Sequence, residues 1–182
     1  IFAIGAGSKL VGVTTYCNYP AEANKIQKIG DTLSPNIETI IALKPEVVFV
    51  STASQIESFV AQLEKQNISV FVTNPTDVEK IYQSLLQLGD VLGENERAKM
   101  LVESLKKRAA EVEARIIPAK KIKVFVQVSK EPLFTVGKTS FITDLIGRAG
   151  GVSVTENVNE PYPKFSKETA LALQPEAIIL SD

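Results

Sequence analysis

Few side chains in this sequence are equipped for bond-making chemistry, and that scarcity narrows what the protein does. Cys17 is the only cysteine among 182 residues, and there is no histidine. Without an imidazole, a Ser-His-Asp triad, a Cys-His pair and the usual zinc sites disappear together. A lone cysteine forms neither an intrachain disulfide nor a CxxC metal motif, so it leaves the redox compartment open. The run GAGSKL at residues 5 to 10 fits neither the GxGxxG fingerprint nor the GxxxxGK[ST] phosphate loop. No pair of carboxylates converges by spacing. The residues therefore lead us to expect a protein that is not an enzyme, with no catalytic residues, no catalytic cofactor and no metal site.

What the sequence does carry is an internal repeat at an offset of 130 residues. Residues 37 to 51 read IETIIALKPEVVFVS, and residues 167 to 181 read KETALALQPEAIILS. Identities fall at Glu38/Glu168, Thr39/Thr169, Ala42/Ala172, Leu43/Leu173, Pro45/Pro175, Glu46/Glu176 and Ser51/Ser181. Each copy predicts a short amphipathic helix stopped by proline, which lacks an amide donor and disfavours helix in the residue before it. The apolar runs VVFV and AIIL that follow suit parallel strands covered on both faces. Glu38 and Glu168 thus stand at equivalent places, one in each copy.

The elements around the repeat predict two α/β units. In the first, a helix over 54 to 66 and a strand over 68 to 73 complete a βαβ unit with the VVFV strand. The Asn74-Pro75-Thr76-Asp77 turn opens a helix over 77 to 92 that Gly93 ends, and Asn95 opens a longer one to about Ile116, closed by Pro118. A strand follows at 122 to 129. Lys138-Thr139-Ser140 then starts a helix that stops at Gly150-Gly151. The expected fold class is α/β, two Rossmann-like lobes with parallel sheets joined by a long α-helical backbone. The boundaries are 1–76 for the N-terminal lobe, 77–117 for the helical backbone and 118–182 for the C-terminal lobe. Laying one lobe on the other, we expect the chain to start inside a helix, at IFAIGAGSKL, that leads into a VGV strand, with a further strand upstream of Ile1 and further elements beyond Asp182, so that both lobes are cut short.

Bulk properties agree with an ordinary globular chain. Apolar residues make up 45% of the composition, enough for a real core. Twenty basic and 21 acidic residues leave a formal charge of -1, so neither a nucleic-acid surface nor a polybasic membrane patch is indicated. The segment IFAIGAGSKL lacks the parts of a signal peptide, and any export signal or lipid anchor is expected upstream.

The stretch VGVTTYCNYPAEANKIQKIGDTLSPNIETIIALKPEVVFVS, with EPLFTVGKTSFITDLIGRAGG and NEPYPKFSKETALALQPEAIILSD, resembles the helical-backbone solute-binding proteins of ABC importers. These take cobalamin, ferric siderophores or haem. The TTYCNYP and EPLFTVGK segments look most like the cobalamin-binding branch. The resemblance implies a ligand held at the carboxyl ends of the strands, in the cleft between the lobes. It implies ligand contacts from Tyr16, Thr32, Ser51, Phe134, Thr135 and Tyr162, with Gly137 allowing close approach. Cobalamin is the ligand it favours, with a ferric siderophore or haem as the alternative. The cobalamin branch carries tryptophans at the positions of Thr32 and Ser51, and this chain has no tryptophan, so its pocket is expected to be less aromatic. Siderophore binders often place an arginine at the position of Thr32. Glu38 and Glu168 are implied to dock on arginines of an ABC permease. The location implied is the periplasm or the outer face of the membrane, to which the protein is peripheral, with no nucleic-acid partner.

Overall fold

The computed structural model describes residues 1–31, 34–51, 57–116 and 121–181. They form two compact units, the first made of Ile1–Asn74 and Leu88–Ala98, the second of Pro75–Gln87 and Lys99–Asp182.

Unit 1 begins with two single 3-10 turns, Phe2–Ile4 and Gly7–Lys9, rather than the α-helix expected from the sequence. Gly5 breaks the run by taking φ 81°, a left-handed conformation that costs glycine nothing. The expected VGV strand is reduced to one parallel bridge, Val13 to Lys28. Helix α1 (Ile37–Leu43) is capped by Asn36, whose side chain accepts the Thr39 N–H at 2.9 Å. It ends at Lys44 in the left-handed region, just before Pro45. Strand β1 (Val47–Ser51), helix α2 (Glu57–Glu64) and strand β2 (Ser69–Thr73) make the βαβ unit, with β1 and β2 parallel and Val48 opposite Val70. Buried Ile40, Leu63 and Ile68 form the core beneath the sheet. Burying each such side chain is worth about 1.5–3 kcal/mol. The Phe49 and Phe71 rings meet at 5.6 Å on neighbouring strands.

The helical segment is a hairpin, α3 (Val78–Leu92) and α4 (Asn95–Glu113), turned at Gly93-Glu94. Its turn end, Leu88–Ala98, belongs to unit 1 and the remainder to unit 2. Within unit 2 the two helices share a core of Val78, Tyr82 and Val102, backed by Leu85, Leu86 and Leu105. Lys106 lies 5.3 Å from the centre of the Tyr82 ring, in the range of a cation–π contact. Among the described residues no helix is long and apolar enough to cross a membrane.

The sheet of unit 2 is built around β3 (Ile122–Gln127), whose Val124, Phe125 and Val126 are all buried. After β3 comes a tight hairpin of β4 (Ser129–Lys130) and β5 (Leu133–Phe134) that the sequence reading had not separated from the strand. Helix α5 (Phe141–Arg148), strand β6 (Gly151–Ser153), helix α6 (Lys167–Ala172) and strand β7 (Ala177–Leu180) complete the unit. Both β6 and β7 run parallel to β3 and flank it. Val124, Val126, Val136 and Ile146 pack α5 against this sheet.

The repeat is visible in three dimensions. Ser166 caps α6 by accepting the Thr169 N–H at 3.0 Å, the counterpart of Asn36 and Thr39. Gln174 takes φ 49° where Lys44 takes φ 48°, each immediately before its proline.

Candidate functional site

The side chains on which the sequence reading rests lie in loops, strands and helix starts of both units. In unit 1, Tyr16 sits in a turn just after Val13, fixed by the Thr15 N–H donating to the Gly30 carbonyl at 2.9 Å and the Cys17 N–H donating to Thr14 at 3.1 Å. Its ring is 70% exposed. Lys28 holds the loop from beneath, donating from Nζ to the Cys17 carbonyl at 2.7 Å and to the Ala23 carbonyl at 3.3 Å. The same loop presents Tyr19, also exposed. Ser51 is the exposed last residue of β1, opposite Thr73. Thr32 lies outside the described residues.

Unit 1 also contains an apolar cleft of about 730 Å³, lined among others by Val11 to Thr14 and Val47 to Phe49. In unit 2 a strand, β3, occupies the place between β6 and β7. In unit 1 both the Val13 segment and β1, the strand that the repeat matches to β7, line the cleft. It lies beside the Tyr16 loop rather than under Tyr16 or Ser51, neither of which lines it.

In unit 2 the loop Pro161 to Phe165 runs antiparallel beside β5. The Gly137 N–H donates to the Pro161 carbonyl at 3.0 Å and the Thr135 N–H to the Pro163 carbonyl at 3.1 Å. Tyr162 is thereby pinned between two bonded carbonyls and two prolines while its ring remains 44% exposed. A ring held this way loses little freedom when it packs against a ligand. Phe134 is half-buried and pairs with Lys164. Thr135 is fully buried, and its Oγ1 has no hydrogen-bond partner. Gly137 is required by its surroundings, because an added Cβ would lie 1.9 Å from the Glu160 carbonyl oxygen. The close approach it permits is thus that of the 158–160 backbone.

Glu38 and Glu168 occupy the second positions of α1 and α6, both exposed. Carboxylates there favour the positive end of the helix. The backbone N–H of Glu168 itself, followed by the Ser166 hydroxyl, holds its carboxyl below the ordinary carboxylate range.

Tyr19, Lys28 and Lys164 were not singled out in the sequence. Tyr19 shares the TTYCNYP motif with Tyr16 and Lys164 directly follows the Pro-Tyr-Pro turn, so position within a motif was the available signal. The contact Lys28 makes with the loop carbonyls had none.

This arrangement, two α/β units presenting aromatic loops at their strand ends, is that of a solute-binding protein, and residues 1–182 match the periplasmic binding protein family along their whole length. The chain belongs to that family. It is 34% identical over 179 residues to the vitamin B12-binding protein of Salmonella typhimurium, covering 98% of this chain and 67% of that one. The vitamin B12-binding protein of Photorhabdus laumondii is 29% identical, covering 99% of this chain and 66% of that one. The chain thus spans about two thirds of the length of the curated relatives it matches. Among solved structures, the periplasmic vitamin B12 binding protein of Vibrio cholerae superposes with a TM-score of 0.87 at 24% identity, over 100% of this chain and 71% of that one. The periplasmic heme binding protein of the same organism gives 0.86 at 22%, with the same coverage. At these identities the two structures establish the fold.

Proposed function

We propose that the protein is the substrate-binding component of an ABC importer and captures cobalamin or a related corrinoid at the carboxyl ends of its strands. The observation that carries this reading is Tyr162, an exposed aromatic of unit 2 held rigidly by its neighbours, in a chain 34% identical to a vitamin B12-binding protein. A flat macrocycle binds by laying its face on such rings, and the tyrosine hydroxyl offers a hydrogen bond at the edge. Tyr16 supplies the matching aromatic in unit 1, with Ser51 and Thr32 on the same lobe and Phe134 and the backbone around Thr135 on the other. The ligand is cargo, and no catalytic cofactor is involved.

The second reading within the family is haem or a ferric siderophore. The exposed phenols of Tyr16 and Tyr162 favour it, since tyrosine oxygen is a good ligand for ferric iron. Delivery occurs at the periplasmic or outer face of the membrane, where Glu38 and Glu168 dock on cationic residues of the permease and steer the encounter.

The reading is tested by titrating the chain with cyanocobalamin, hemin and a ferric siderophore, following absorbance and melting temperature. A spectral change and a raised Tm with cyanocobalamin are expected. A response to hemin or the siderophore alone would transfer the assignment to the second reading, and silence with all three would overturn both.

A further inference from the structure

We propose that Lys164 sets the charge class of the ligand, selecting flat macrocycles that carry an anionic group, a phosphodiester or a carboxylate, beside the ring. The proposal rests on the reading of the Tyr162 loop as a ligand surface.

The backbone places the three side chains concerned. Phe134 and Lys164 are directly opposed in an antiparallel bridge. The bonds flanking them run from the Thr135 N–H to the Pro163 carbonyl at 3.1 Å and from the Phe165 N–H to the Leu133 carbonyl at 2.9 Å, so the pair itself is a non-hydrogen-bonded one. Such pairs are the close kind, with Cα atoms about 4.5 Å apart and side chains on the same side of the ribbon. From Tyr162 to Phe165, burial alternates. Pro163 is buried and Phe165 turns inward, its ring 6.4 Å from that of Phe125, whereas Tyr162 and Lys164 are exposed. Phe134, Lys164 and Tyr162 therefore project toward one side, which sets a lysine next to two aromatic residues.

The charge is available. Among the described residues no carboxylate pairs with Lys164, although Lys167, three positions on, reaches Glu131 at 3.5 Å. A lysine ammonium is a compact point charge on a flexible stem, suited to meeting one anionic oxygen at the rim of a ring stacked on its neighbours. A charge-assisted hydrogen bond of this kind distinguishes ligands that share a macrocycle and differ in an anion.

The test compares the wild-type chain with Lys164→Gln and Lys164→Arg, both checked for an unchanged far-UV circular dichroism spectrum. Three probes are titrated: cyanocobalamin, which carries a phosphodiester; dicyanocobinamide, the same corrin without it; and hemin, which carries two carboxylates. Lys164→Gln is expected to weaken the anion-bearing ligand that binds by about tenfold, Lys164→Arg to keep most of the affinity, and dicyanocobinamide binding to be nearly insensitive to either change. An unchanged affinity of Lys164→Gln for the anionic probe, or equal losses with cyanocobalamin and dicyanocobinamide, would overturn the proposal and leave the corrinoid reading standing. A tenfold loss seen with hemin, in a chain that ignores both corrinoids, would uphold the proposal and overturn the corrinoid reading. No binding of any probe by the wild-type chain would overturn both.

Discussion

Asp144, in α5, caps a helix that is not its own: its Oδ2 accepts the backbone N–H of Val78, 66 residues away, at 3.0 Å. The same oxygen receives Nε of Arg148 at 3.0 Å, and that guanidinium continues to Glu113 at 3.1 Å and Glu79 at 3.6 Å. One carboxylate therefore ties the start of α3 to α5. Asp144→Ala is expected to destabilise unit 2 by about 1–2 kcal/mol, the usual cost of a lost cap, read as a lower urea midpoint. A variant as stable as its parent would mean that the Val78 amide is satisfied by water.

Asp77 caps the same helix from the adjacent turn, its Oδ1 accepting the Lys80 N–H at 2.8 Å. That hydrogen bond holds the Asp77 carboxyl below its ordinary value of 3.8, with the Lys80 ammonium assisting. The folded chain binds this proton more weakly than the unfolded chain does. Its contribution to stability is therefore complete above the unfolded value and is lost as pH falls through that value to the lower folded one. Asp77→Asn keeps a capping side chain but does not titrate, so the fall in stability on the acid side should be shallower in urea melts across that range. Parallel curves for the two proteins would rule this contribution out.

For ligand capture, Tyr162→Ala is expected to weaken binding by tenfold or more, as truncating a buried aromatic anchor commonly does, and Tyr162→Phe to weaken it far less. Tyr16→Ala should behave similarly. Since both rings are well exposed in the structure, neither change should lower the melting temperature of the free protein appreciably. Unaltered affinity in Tyr162→Ala would remove the rigid Pro-Tyr-Pro turn from the ligand surface.

Docking makes the opposite demand. Reversing both charges, Glu38→Lys with Glu168→Lys, should leave the dissociation constant for ligand unchanged while abolishing uptake in cells or vesicles carrying the permease. A loss of ligand affinity in the double variant would count against a docking role.

The parts of the fold governed by local rules were legible in the sequence. The prolines that close α1 and α6 and the β-branched runs of β1 and β7 act within a few residues and appear where their pattern places them, but β7 is not covered on both faces, since Ile178, Ile179 and Leu180 are exposed. The first ten residues were misread as helix because the matching segment of the second lobe is one, whereas Gly5, at φ 81°, breaks this one into 3-10 turns. The β4–β5 hairpin escaped notice because its strands are two residues each, too short to show alternation. Lys164 escaped for a different reason: its pairing with Phe134 joins residues 30 apart, and no local propensity encodes that.

The matched caps and matched left-handed residues, Asn36 with Ser166 and Lys44 with Gln174, give the chain a built-in experimental control. The same local code is written twice, once where Ile40 sinks into a core and once where its counterpart Ala170 stays partly exposed. Making a substitution in one copy and its twin in the other cancels intrinsic propensity, so the difference between the two effects isolates what surrounding structure adds to a helix end.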